Sequence, residues 1–175
     1  MQENSVIKIN FADLAVIKNG NSQRLPLSDL DKNSHIHGEL IIKIKDRGVP
    51  RLGYWGKNDV CFSQWIQELT NIRREFRGKI DSVYVFDEGE QGQPAFLFER
   101  KGEMMYLSIV DSILSDGKGE KNWQKVEFSY RDFVREYEGF CQQFFAEIEK
   151  AAPQAAHLWV NTFLPKLGSL LASLN

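Results

Sequence analysis

Apolar and polar positions alternate singly over several stretches of the chain and recur at three- and four-residue steps over others. From Val6 to Phe11, Ile7, Ile9 and Phe11 fall on one face and Lys8 and Asn10 on the other, which predicts a half-buried strand. The stretch Lys18 to Ser34 is rich in Asn, Ser and Asp and holds Pro26, so it reads as a loop with a turn of helix near Leu27–Leu30. Glu39 to Lys45 alternates again, with Leu40, Ile42 and Ile44 inward. Asp46-Arg47-Gly48 makes a short hairpin turn, and Arg51 to Trp55 is the expected return strand.

Helical spacing begins after Asp59, a plausible N-cap. Phe62, Trp65, Ile66, Leu69, Ile72 and Phe76 form one stripe, and Gly78 is a natural stop. Three strands follow at Ser82–Phe86, Ala95–Arg100 and Met104–Val110, joined by a polar loop, Asp87 to Gln93, and a tight Lys101-Gly102 turn. Ser112 to Gln124 holds Asp116, Gly117 and Gly119 and reads as loop; Val126 and Phe128 suggest one more short strand. Ser129-Tyr130-Arg131-Asp132 has capping-box spacing with Asp in place of Glu. The stripe from Phe133 through Tyr137, Phe140, Phe144 and Ile148 then predicts a helix of about six turns. Pro153 interrupts it, and Pro165 should kink or break the last segment.

The order β, ββ, α, βββ, α, α with short connections predicts an α+β fold: one antiparallel sheet of about five to seven strands with helices packed on one face. Residues 1–175 are expected to form a single domain. The segment 154–175 carries Trp159, Phe163, Leu167, Leu170 and Leu171, and Lys166 is its only Lys, Arg, Asp or Glu. A helix so lightly charged needs cover, either from the core or from a second copy, so those five residues are also a candidate oligomer interface.

Composition narrows the functional classes. With 42% apolar and 26% charged residues the chain is globular in type, and a formal net charge of -2 argues against a dedicated nucleic-acid binder. The polar start Met1-Gln2-Glu3-Asn4 is not a signal peptide and no run of 18 apolar residues occurs, so a cytoplasmic location with no membrane partner is expected. Two cysteines, Cys61 and Cys141, sit in helical apolar patterns and read as buried free thiols, although spacing alone leaves a bridge between them open.

Charge is segregated. Asp81 to Glu120 holds nine acidic and three basic residues, whereas Glu39 to Lys57 holds five basic and two acidic. If the meander pairs as read, the loop before Pro94 and the loop after Val110 share one end of the sheet. Asp87, Glu88, Glu90, Asp111 and Asp116 would then present carboxylates to a basic protein partner. Neither loop has the ligand pattern of a calcium-binding EF-hand. His35, His37 and Glu39 alternate and would share one face, a set able to hold a divalent metal, but solvated or locally bonded histidines are the simpler reading. Nucleophile elbow, P-loop, dinucleotide fingerprint and zinc-protease motifs are all missing, so no cofactor is expected. Cys61 or Cys141 with His157 as base is a poor pairing when both thiols read as buried. Tyr54, Trp55 and Trp123 sit in or beside turns, where edge packing competes with a pocket or an interface.

One stretch carries a resemblance. The phrases Phe86-Asp87-Glu88-Gly89-Glu90-Gln91-Gly92, Phe96-Leu97-Phe98-Glu99, Ser108-Ile109-Val110-Asp111-Ser112 and Phe128-Ser129-Tyr130-Arg131-Asp132-Phe133 resemble small bacterial α+β proteins of undefined function. Some of those are similar to immunity proteins encoded beside secreted polymorphic toxins. The resemblance covers under a third of the chain and implies a non-catalytic inhibitor of a toxin, acting through the acidic loops. A homo-oligomeric structural or adaptor protein, and a small-molecule binder or enzyme with a pocket between sheet and helices, are the two alternatives.

Overall fold

The computed structural model describes residues 6–20, 22–53 and 55–174. Among them are eight strands: β1 (Ile7–Ile17), β2 (His35–Ile44), β3 (Arg47–Gly48), β4 (Val60–Cys61), β5 (Asp81–Phe86), β6 (Ala95–Lys101), β7 (Met104–Val110) and β8 (Val126–Ser129). Four α-helices accompany them: α1 (Phe62–Phe76), α2 (Tyr130–Ala151), α3 (Pro153–Phe163) and α4 (Pro165–Leu174). The fold is α+β, but the strands divide into two four-stranded antiparallel sheets instead of one sheet of five to seven. In the first, β2 lies between β1 and the two short strands β3 and β4; the second is the meander β5-β6-β7-β8. The division has a simple cause. The free edge of β2 is taken by β3 and β4, and the chain leaves β4 directly into a helix, so no strand carries the first sheet into the second.

The two sheets and the helices share one apolar core. Ile7, Ile9, Ile42 and Ile44 of the first sheet meet Phe96, Phe98 and Leu107 of the second, with Trp65 of α1 and Phe133 of α2 between them. Polar ties cross the seam at its rim: Lys45 Nζ lies 3.1 Å from Glu127 and Arg51 Nε 3.2 Å from Glu120.

Local departures from the pattern have physical reasons. β1 runs on past Phe11 because a bulge between Ala12 and Ala15, with Asp13 at φ 54°, shifts the phase of the alternation. The expected return strand at Arg51 to Trp55 does not form in the described residues. Pro50 has no N–H to donate and Arg51 turns to φ 66°, which ends extended backbone there; Tyr54 lies outside the described residues. The cap of α1 is Cys61, two residues after the expected Asp59. The cap of α2 is Ser129 as its spacing predicts, its Oγ accepting from Asp132 N at 3.2 Å.

Pro165 separates α3 from α4. In the C-terminal segment Trp159 and Leu167 are buried within the chain itself, and the Trp159 indole N–H donates to Ser34 O at 2.9 Å. Phe163, Leu170 and Leu171 are half-buried against the same core. Both cysteines are free thiols, Cys141 fully buried and Cys61 only partly. No described helix is long and apolar enough to cross a membrane.

Candidate functional site

The meander pairs Phe86 with Phe96 and Ala95 with Val110, so the loops 87–94 and 111–120 lie side by side at one end of the second sheet. Three of the five acidic candidates are consumed in holding these loops together. Asp87 accepts from Ser112 Oγ at 2.8 Å, from Ile113 N at 3.0 Å and from Gly89 N at 3.1 Å. Burial alone would push its carboxyl up, but these donors outweigh it and hold the group below its ordinary value. Asp116 accepts from Gly92 N at 2.8 Å, tying one loop to the other. Asp111 accepts from Gly119 N at 2.8 Å and faces Lys118, which together hold its carboxyl low. The glycines explain the packing. A Cβ on Gly117 would lie 1.8 Å from Gln93 O, and one on Gly119 would lie 2.5 Å from Ile109 O. The Asp-Gly-Lys-Gly stretch is therefore a loop built for close backbone approach.

Glu88 and Glu90 behave differently. They line a cavity of about 140 Å³ whose other wall comes from β2, β4 and the turn before β4: His37, Trp55, Asp59 and Cys61. Sheet pairing positions these groups. His37 of β2 stands directly opposite Cys61 of β4, and Asp59, two residues earlier, falls on the same face as Cys61. His37 Nδ1 lies 3.5 Å from Asp59 Oδ1, while Asp59 Oδ2 accepts from Trp55 N at 3.2 Å. Cys61 Sγ lies 3.3 Å from Ser63 Oγ. The Trp55 side chain stands at the mouth, 81% exposed.

The electrostatics of the mouth follow from this crowding. Burial pushes Glu88 up to about 7, and the neighbouring charges of Glu90, Asp59 and Glu68 push in the same direction. Hydrogen bonding with Cys61 raises His37 above its ordinary value; partial burial opposes this, and the charges of Cys61 and Asp59 reinforce it. Burial works to raise the Cys61 thiol, but His37, Ser63 and the Gln64 N–H outweigh it and the thiol titrates below its usual range. Cys141, by contrast, is pushed up to about 12 by burial.

The remaining candidates are placed as follows. His35, His37 and Glu39 do share the outer face of β2. The His35 and His37 rings meet edge to face with centroids 6.4 Å apart, while His35 also packs on Phe163, His37 faces Asp59 and Glu39 faces Lys57 at 3.9 Å. Among the described residues no group of three or more His, Cys, Asp or Glu is arranged to hold a metal ion. His157 faces Glu149 at 3.5 Å, and the imidazole that meets a cysteine is that of His37. Trp123 is buried under Arg47, whose guanidinium lies 4.5 Å from the ring centre, so it is an edge-packing residue. The meeting of His37 with Cys61 went unread in the sequence. The run Asp59-Val60-Cys61 is too short for alternation to declare a strand there.

A comparison with protein-family models finds no match, and comparisons with curated proteins and with solved structures find none either.

Proposed function

We propose that this chain is a non-catalytic protein-binding module that meets a basic partner at the mouth formed by Glu88, Glu90, Asp59 and Trp55. The observation that carries the reading is the convergence of three carboxylates beside an exposed tryptophan, in a cavity that no lysine or arginine lines among the described residues. Burial is the first cost of ionising Glu88 and the neighbouring carboxylates add to it, which together push it up to about 7. A lysine or arginine brought by a partner relieves that repulsion, so the free energy stored in the free chain favours a cationic surface. Trp55 supplies the flat, amphipathic anchor on which such interfaces concentrate their energy.

A basic toxin domain, blocked in the cytoplasm by an immunity-type inhibitor, is a partner of this chemistry and agrees with the resemblance in residues 85–133. Glu88 and Glu90 face the partner, while Asp87, Asp111 and Asp116 shape the loops that carry them.

The test is capture of partners from lysate of the native cell on the immobilised chain, wild type against Glu88→Lys/Glu90→Lys, at low and high salt. The expected result is a protein of basic pI that is retained at low salt, eluted by high salt and lost with the double variant. Retention should also weaken as the pH falls through about 7, where Glu88 takes up a proton. A partner held equally by both forms, indifferent to salt, removes this mouth from the function.

A further inference from the structure

The thiol at the floor of the same mouth has a chemistry of its own, independent of whether a basic protein binds there. We infer that Cys61 is a reactive thiol that exchanges with small cationic disulfides, held ready by His37 across the β2–β4 pair and by the first turn of α1.

The geometry supplies each requirement. Cys61 is the residue that caps α1, so its sulfur sits at the positive end of a 15-residue helix dipole. Within that first turn the sulfur lies 3.3 Å from the Ser63 hydroxyl, a group able to donate to a thiolate. His37 stands opposite on the neighbouring strand, and Asp59, 3.5 Å from its Nδ1, favours the charged imidazole. A thiolate paired with an imidazolium is the form that attacks disulfides near neutral pH. The thiol is partly exposed and opens on the cavity; Cys141 is fully buried and offers no competing reaction.

The groups around the sulfur also set which reagent arrives. The charged groups facing the cavity are His37 from β2, Asp59 from the turn before β4, and Glu88 and Glu90 from the loop after β5, with Glu68 of α1 acting on Glu88. Arg24 and Lys57 line the adjoining wall that shares His37, Trp55 and Asp59, but within the cavity itself carboxylates outnumber the imidazole, which disfavours an anionic disulfide and favours a cationic one. In the step itself the Cys61 thiolate attacks one sulfur of the disulfide and the S–S bond breaks. Cys61 is left in a mixed disulfide, and the other half departs as a thiolate that takes a proton from water.

The experiment treats the folded full chain with cystamine and, separately, with oxidised glutathione, following adducts by intact mass and peptide mapping between about pH 5 and 9. The expected product is a single adduct on Cys61, formed about tenfold faster with cystamine than with the anionic glutathione disulfide. Its rate should reach half-maximum below the ordinary thiol range. His37→Gln should slow the reaction at pH 7 about tenfold and return the midpoint to that range. Because this variant alters a residue of the first sheet, the wild-type profile decides on its own. A midpoint at or above the ordinary thiol value, equal labelling of Cys141, or glutathione disulfide reacting as fast as cystamine each overturns the proposal. Loss of a captured protein partner bears on the acidic mouth and leaves these rates unchanged.

Discussion

Asp87 turns into the 111–119 loop and Glu88 into the cavity under β4, though they are neighbours in the chain. Asp87 meets a hydroxyl and two backbone N–H groups within 3.1 Å, and its carboxyl is held below the ordinary range. Glu88 is partly buried beside other carboxylates, and burial first and their charges second push its own up to about 7. The same negative charge therefore stabilises one side of the loop and strains the other. Acidic content by itself says little about binding: a carboxylate that already accepts backbone donors has less to offer a partner than one surrounded by like charges.

Substitution at Gly117 should produce the largest effect on the braced side. Gly117→Ala places a methyl against the Gln93 carbonyl at a distance no contact allows, so the two loops must part. A loss of about 3 kcal/mol in denaturant unfolding is expected. A smaller loss, about 1 kcal/mol, should follow Asp87→Ala, which leaves Ser112 Oγ and the Ile113 N–H to water at a partly open site. On the strained side the sign reverses. Glu88 binds its proton more tightly folded than unfolded, so its ionisation subtracts stability. That subtraction begins as the pH rises past the ordinary glutamate value and is complete above about 7. Glu88→Gln should therefore raise stability at pH 8 by about 1 kcal/mol once solvent screening is allowed for, and leave it unchanged at pH 4. If Asp87→Ala stabilises or Glu88→Gln destabilises at pH 8, the distinction between the two carboxylates fails.

Much of the scaffold that creates this contrast is legible in the sequence. The stripes of α1 and α2, the β5-β6-β7 meander and the break at Pro165 rest on local periodicity, which neighbouring residues are enough to define. The adjacency of the loops at 87 and 111 follows from that meander. The site is less legible because it depends on pairing across sequence. β4 has only two residues, too few for alternation to show, and its partner at His37 lies 24 positions away. Cys61 carries an apolar neighbour on each side and so reads as helix interior, whereas the backbone makes it the cap and opens its thiol to the cavity. The division into two sheets was hidden for the same reason: nothing local announces that β3 and β4 occupy the edge of β2. Nor does composition separate Asp87 from Glu88, since only the tertiary donors do so.

The most direct measurement is a carbon-13 NMR titration of the Glu88 side-chain carboxyl in the free chain, with Asp87 as its internal reference. A Glu88 midpoint near 7, with Asp87 below the ordinary aspartate range, is the predicted pair of values. A Glu88 that titrates like an unperturbed glutamate would contradict the account, because its carboxylate would then be neither desolvated nor crowded by like charges in the free chain.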